Sequence, residues 1–290
     1  MATLQDIRRK IGGVKKTQQI TKAMNMVAAA KLRGAQMRME NFRPYAGKFL
    51  EVINNLSSRI DPEAFPLMAQ RPVKKVELVS LTADRGLCGS FNVNLINQGE
   101  KFVKARKQEQ LEVSLVPVGK KGGEYYKRQK YDVRVRYMDI FSSFDMVTAS
   151  GIGRDIMANF LAGGSDEVYI LYGEFINMAV QRPKLLRLLP IAPLTSKQEG
   201  STGTALDYIY EPSVQGIFQE LLPRYVNVQI YRGMLENAAS EQAARMTAMD
   251  NATRNCKELI NSLSLIYNKA RQGAITKELM DIVGGAEALK

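Results

Sequence analysis

Two heptad runs, one at each end of the chain, constrain the fold more than anything between them. The first runs from Leu4, Ile7, Ile11 and Val14 through Gln18, Thr21 and Asn25, then Ala28, Leu32, Ala35, Met39, Phe42 and Ala46, to Ile60. The second runs from Val214, Ile217 and Leu221 through Leu235, Ala238, Gln242, Arg245 and Met249, then Ala252, Cys256, Leu259, Leu263 and Ile266, to Ala270. Steps of four and three residues keep one stripe on one side of a helix, and two such stripes seal against each other in a left-handed supercoil. Both stripes are polar at their centres, Gln18-Thr21-Asn25 in one and Gln242-Arg245 in the other. Pairing the two antiparallel with these polar stretches in register puts position 21 near position 244. Met1 then falls opposite about residue 264, and the last two dozen residues lack a partner. The expectation is a long rod with a bare tip.

Between the runs the period changes. Val76–Leu81, Leu111–Val118 and Glu167–Phe175 read as apolar strands, with Tyr131–Arg136 alternating like a strand at a sheet edge. Arg182–Leu189 and Tyr208–Tyr210 are weaker strand candidates. Helices are expected at Phe91 to about 107, at 123–130 and at 144–161. Strands alternating with helices imply an α/β unit with a mostly parallel sheet. The organisation predicted is a helix over 1–60, a Rossmann-like α/β domain over 73–212 and a helix over 213–290 that pairs with the first. Pro44 is expected to bend or break the first helix, because it lacks a backbone donor.

Composition excludes several classes. There is no histidine, which removes the usual general base of Ser-His-Asp and Cys-His catalysis and the commonest zinc ligand. The two cysteines, Cys88 and Cys256, fall in different elements, so a reducing compartment, the cytoplasm, is expected. No apolar stretch approaches the ~20 residues of a membrane span. The formal charge is +12. Within residues 1–48, eleven Lys/Arg against Asp6 and Glu40 leave +9 on the first helix. Such a face suits nucleic acid, anionic lipid or an acidic protein surface, or is the solvated side of a coiled coil.

Nucleotide motifs are incomplete. Gly119-Lys120-Lys121-Gly122-Gly123 follows a strand, but no G-x-x-x-x-G-K-[ST] occurs, and Gly151-Ile152-Gly153 has Ile156 in place of the third glycine. No cofactor is expected. Thr82–Ser90 joins a strand to a helix. Cys88 there is a conceivable nucleophile near a helix N-terminus, but without histidine the packed or interface reading is favoured. Arg245 takes a core heptad position and must be paired, or snorkel, or meet a partner's acceptors. Over 270–288, Ile275, Leu279, Ile282 and Val283 share one side, a pattern that calls for an enclosing partner.

Four segments carry a resemblance: Ile20–Lys31 (ITKAMNMVAAAK), Ala83–Gly89 (ADRGLCG), Ser240–Met246 (SEQAARM) and Asn268–Gln272 (NKARQ) with Ile275–Leu279 (ITKEL). In order and spacing the chain resembles the γ subunits of bacterial F-type ATP synthases along its whole length. The resemblance implies an antiparallel coiled coil rotating inside a hexamer of α and β subunits, with the Rossmann-like insert resting on the ε subunit and the ring of c subunits. Torque would pass between that membrane ring and the catalytic hexamer, coupling proton flow to ATP synthesis or hydrolysis. Nucleotide would sit on α and β, and this chain would be non-catalytic. The resemblance further implies that Lys22, Met24 and Arg245, with Cys88 nearby, meet the acidic lever of β. Arg271 and Gln272, with Thr276 and Glu278 on the same helix, would be gripped by a β loop, and Tyr208 and Tyr210 would face ε and the c-ring. Association with the cytoplasmic face of the bacterial inner membrane would be peripheral, through the c-ring only. The alternative that the charge leaves open is a basic coiled-coil nucleic-acid-binding protein.

Overall fold

The computed structural model describes residues 3–57, 64–191 and 214–287. The elements, in chain order, are α1 (Leu4–Ser57), β1 (Lys75–Leu81), α2 (Phe91–Gln108), β2 (Glu112–Val118), α3 (Lys120–Arg128), α4 (Met146–Leu161), β3 (Glu167–Phe175), β4 (Gln181–Leu189) and α5 (Val214–Glu287). They form two compact units, Met1–Ala29 with Arg245–Lys290, and Ala30–Ala244.

The first unit is the antiparallel helix pair. Thr3 and Asp6 start α1 with a reciprocal cap: the Thr3 N–H donates to Asp6 Oδ2 at 3.1 Å and the Asp6 N–H to Thr3 Oγ1 at 3.2 Å. Every seam position expected on α1 from Leu4 to Ile53 is buried or half-buried. The register differs from the expectation. The Thr21 and Thr253 hydroxyls share a hydrogen bond of 2.8 Å, and Asn25 Nδ2 donates 2.8 Å to the Met246 carbonyl. Position 21 therefore meets 253 rather than 244. Polar seam residues are satisfied across the pair here: a hydroxyl pairs with a hydroxyl, and an amide reaches a main-chain carbonyl. Matching the two polar stretches to each other would have left amides facing a guanidinium. The seam phase on α5 also differs. Beyond Cys256 the residues turned inward are Ile260, Leu263, Ser264, Tyr267 and Ala270, whereas Leu259 is 44% and Ile266 51% exposed. From Ile275 to Ala286 every residue is exposed, so the bare segment starts later than the sequence register implied.

In the second unit a four-stranded sheet has the order β2-β1-β3-β4. β1 is parallel to β2 and β3, and β4 returns antiparallel to β3. Phe91, Leu95, Phe102 and Val103 of α2 pack with Val76, Leu78, Val113, Leu115 and Leu171. α4 approaches α5 closely: a Cβ on Gly153 would meet Asn227 Oδ1 at 2.0 Å, so Gly153 serves a helix crossing rather than a phosphate turn. Asp145 caps α4 by accepting from the Thr148 N–H at 2.9 Å.

α1 is continuous through Pro44. Pro44 and Glu40, whose carbonyl loses its helical donor, both lie on the exposed side, where water can replace the bond. The middle of α5 has more than a seam. From Tyr225 to Glu241 almost every residue is buried or half-buried. One side meets α1, with Phe42 edge-on to Tyr231 at 4.9 Å and Arg43 paired to Glu236 at 2.9 Å. Another side meets β3: Gly173 N–H donates to Asn237 Oδ1 at 3.1 Å, Phe175 N–H to Glu236 Oε2 at 3.0 Å, and Ser240 Oγ to the Gly173 carbonyl at 2.9 Å.

Tyr131–Arg136 is not a ladder strand. It lies along β2 through isolated bridges, Leu115 with Val133 and Val118 with Tyr137. Pro117 of β2 has no N–H to donate, which interrupts the pairing between them. Tyr208–Tyr210 lies outside the described residues.

Candidate partner-contact surfaces

At the C-terminal end of β1 the chain fills its own phosphate-sized site. Asp84 accepts from three backbone N–H groups: Lys120 at 2.9 Å and Asp139 at 3.0 Å on Oδ1, and Phe141 at 2.8 Å on Oδ2. The Gly122 N–H donates to Thr82 Oγ1 at 2.9 Å and the Lys121 N–H to the Ala83 carbonyl at 3.1 Å. The first amides of α3, which could cradle an anion, are thus taken by protein groups. Asp84 is the residue that sequence reasoning missed. The signal was an acid standing alone between a strand and a glycine-rich turn.

Cys88 lies in the turn that follows and is 1% exposed within the core of the second unit. Asn92 Nδ2 donates to its sulfur at 3.2 Å, while Asn92 Oδ1 accepts the Ala83 N–H at 2.9 Å. The turn presents Leu87 outward instead, 65% exposed and at φ 61°. A bulky residue in the left-handed region is strained and persists only where its surroundings hold it.

In the helix pair, Lys22 is exposed and Met24 half-buried, while Arg245 is buried. Lys22 lines a notch of about 480 Å³ with Gln18, Gln19, Asn25, Met26, Asp250 and Thr253. Ile20, Met26 and Val27 are each more than half exposed beside it. Higher on α5, Arg271, Gln272, Thr276 and Glu278 are all exposed, and the Thr276 hydroxyl donates to the Gln272 carbonyl at 3.0 Å. Ile275, Leu279, Ile282 and Val283 are 49–69% exposed on the same segment.

An ionic cluster around the buried Glu77 ties the 131–138 segment to the second unit's sheet. Arg134 donates from Nε to Glu77 Oε1 at 2.6 Å and grips both Asp155 oxygens at 2.7 and 3.0 Å. Burial raises the Glu77 carboxyl above its ordinary range despite Arg134, whereas the hydrogen bonds from Arg134 lower Asp155. Burial also pushes the Tyr137 phenol up to about 12, helped by the charge of Asp155.

A family model described as ATP synthase matches residues 3–289. The ATP synthase gamma chain of Syntrophus aciditrophicus is 52% identical over 289 residues, covering 100% of this chain and 99% of that protein. That of Syntrophobacter fumaroxidans is 53% identical, with 100% of both chains covered. The chain belongs to the ATP synthase γ-chain family. Among solved structures, the central stalk and c-ring of the Tetrahymena thermophila mitochondrial ATP synthase contains a chain matched at 27% identity and TM-score 0.61, covering 80% of this chain and 99% of that one. A chain of the Euglena gracilis mitochondrial enzyme shares the fold at TM-score 0.69 and 21% identity, over 99% of this chain and 94% of that one. Among the described residues, no helix is long and apolar enough to cross a membrane.

Proposed function

We propose that this chain is the central-stalk rotor of a bacterial F-type ATP synthase, transmitting torque between the c-ring and the α/β hexamer. The observation that carries this reading beyond family membership is the C-terminal end of α5. Four aliphatic side chains from Ile275 to Val283 stand 49–69% exposed on a regular helix, an arrangement that suits a helix enclosed by other subunits. The segments 1–60 and 213–290 form the shaft in this reading, and 73–212 the foot. Lys22, Met24 and Arg245 face the acidic lever of β, where the basic face of α1 gains attraction without a unique deep well. Cys88 contributes indirectly, by holding the turn that presents Leu87. Arg271, Gln272, Thr276 and Glu278 form the upper contact, and Tyr208 and Tyr210 reach ε and the c-ring.

The chain is non-catalytic in this reading. The amides of α3 that would receive a phosphate are satisfied by Asp84, Thr82 and Ala83, which supports placing nucleotide on α and β. The assembly sits on the cytoplasmic face of the inner membrane, and this chain reaches the membrane through the c-ring alone. Nothing in the comparisons favours the nucleic-acid alternative.

The test is the assembled enzyme carrying Arg271→Ala with Gln272→Ala. ATP hydrolysis is expected to persist while ATP-driven proton pumping falls about tenfold or more, the scale of one lost charge-assisted contact. Unchanged pumping would remove these two residues from the coupling contact. Failure of the wild-type chain to copurify with two larger P-loop subunits would remove the rotor reading itself.

A further inference from the structure

We infer that the outer edge of the 131–138 segment is a docking site for an extended acidic segment of another polypeptide, which adds to the sheet as a strand. The inference does not depend on the rotor reading. The segment's inward edge is spent on β2. Leu115 N–H donates to the Asp132 carbonyl at 2.8 Å, Arg134 N–H to the Leu115 carbonyl at 3.0 Å and Tyr137 N–H to the Pro117 carbonyl at 3.0 Å. Between these bonds, the main-chain groups of Val133 and Val135 find no partner among the described residues. An extended backbone with free donors and acceptors is a template for an added strand.

The space beside that edge is open and positively charged. A groove of about 480 Å³ is lined by Val133 and Val135 together with Lys127, Tyr131, Arg134, Arg136 and Met138. Among the described residues, no acidic side chain lines it. Arg134 is committed inward to Glu77 and Asp155. Lys127 and Arg136 are exposed and have no acidic partner among the described residues. These cations repel basic strands and leave an uncharged one without compensation, so they select an acidic occupant rather than simply closing the edge. The Arg134 clasp holds the segment in place before anything binds, which reduces the ordering cost of association. A small anion would use the cations but none of the main-chain groups of Val133 and Val135. The free backbone edge is what favours a peptide.

The experiment uses the full-length chain, isotope-labelled, with an acetylated peptide of alternating valine and glutamate about seven residues long. The expected result is amide shifts confined to Tyr131–Met138 and to α3 around Lys127, with slowed hydrogen exchange at Val133 and Val135. Lys127→Glu with Arg136→Glu is expected to weaken binding about tenfold or more. The same peptide N-methylated at alternate residues, on the side that must pair, is expected not to bind. Binding of the N-methylated peptide as tight as that of the parent would overturn strand addition, because charge alone would then suffice. Equal shifts from inorganic phosphate or from anionic vesicles would overturn it too, assigning the groove to simple anions or to lipid. Shifts that spare 131–138, or none, would remove the site.

Discussion

At the scale of single residues, the end of β1 shows which positions are fixed by geometry. Gly119 sits at φ +109°, and a Cβ there would lie 2.1 Å from the Thr82 carbonyl oxygen. Gly119→Ala is expected to cost ~2–4 kcal/mol, from backbone strain and a clash that backbone atoms cannot relieve. Urea unfolding of the full chain measures it, and a loss under ~0.5 kcal/mol would refute the crowding. Tyr126 makes a second residue-level prediction. It is fully buried, 3.3 Å from Ser80 Oγ, and burial raises its phenol from 10.0 to about 12. The folded state therefore holds this proton more tightly than the unfolded state. The stabilisation is complete below pH 10 and is lost as pH rises towards 12. Tyrosinate absorbance and circular dichroism titrated together are expected to show these last phenols ionising only as the helices melt, and Tyr126→Phe is expected to move the alkaline midpoint upward. Ionisation of all phenols before any loss of helix would contradict this. Cys88 was singled out from sequence because thiols are reactive, and its neighbour Asp84 was passed over. A sequence shows residue types but not that Asp84 has three amides aimed at it.

At the scale of elements, the heptads made α1 readable almost residue by residue, because its outer face is solvated and the apolar stripe is narrow. α5 was less readable for two opposite reasons. Between Tyr225 and Glu241 it is buried against both α1 and β3, so the stripe disappears into a nearly uniform run that includes Asn237 and Ser240, polar residues whose β3 partners are distant in sequence. Beyond Cys256 the pairs Leu259-Ile260 and Ile266-Tyr267 each offer two apolar residues for one seam position, and periodicity alone allows either phase. The structure selects Ile260 and Tyr267. Ile260→Ser is accordingly expected to cost ~1–2 kcal/mol and Leu259→Ser no more than ~0.5 kcal/mol. Thermal unfolding of the two variants side by side decides the phase, and the reverse order would restore the sequence register. The 131–136 segment failed as a strand for a local reason, the missing N–H of Pro117 on its neighbour.

At the scale of the whole chain, the family match runs from residue 3 to residue 289, yet the chain's stability is not spread evenly along that length. From Ile275 to Ala286 every residue is exposed. A helix gains most of its stability from a packed face, and a short one alone in water is marginal. Ile275, Leu279, Ile282 and Val283 in this segment leave about half or more of their surface in water. The same residues are where the rotor reading places the enclosing sleeve. Folding and function are thereby separated in one stretch of sequence, and truncation tests the separation. A chain ending at Ala274 is expected to unfold in urea at the same midpoint and with nearly the same slope as the full chain, since the residues removed are exposed and the packing of the rest is left intact. The assembled enzyme carrying the truncated chain is expected to hydrolyse ATP with reduced proton pumping per ATP. A lowered urea midpoint would mean that the tip packs on its own chain. An unchanged midpoint with intact pumping would mean that the exposed aliphatic face has no part in the coupling contact.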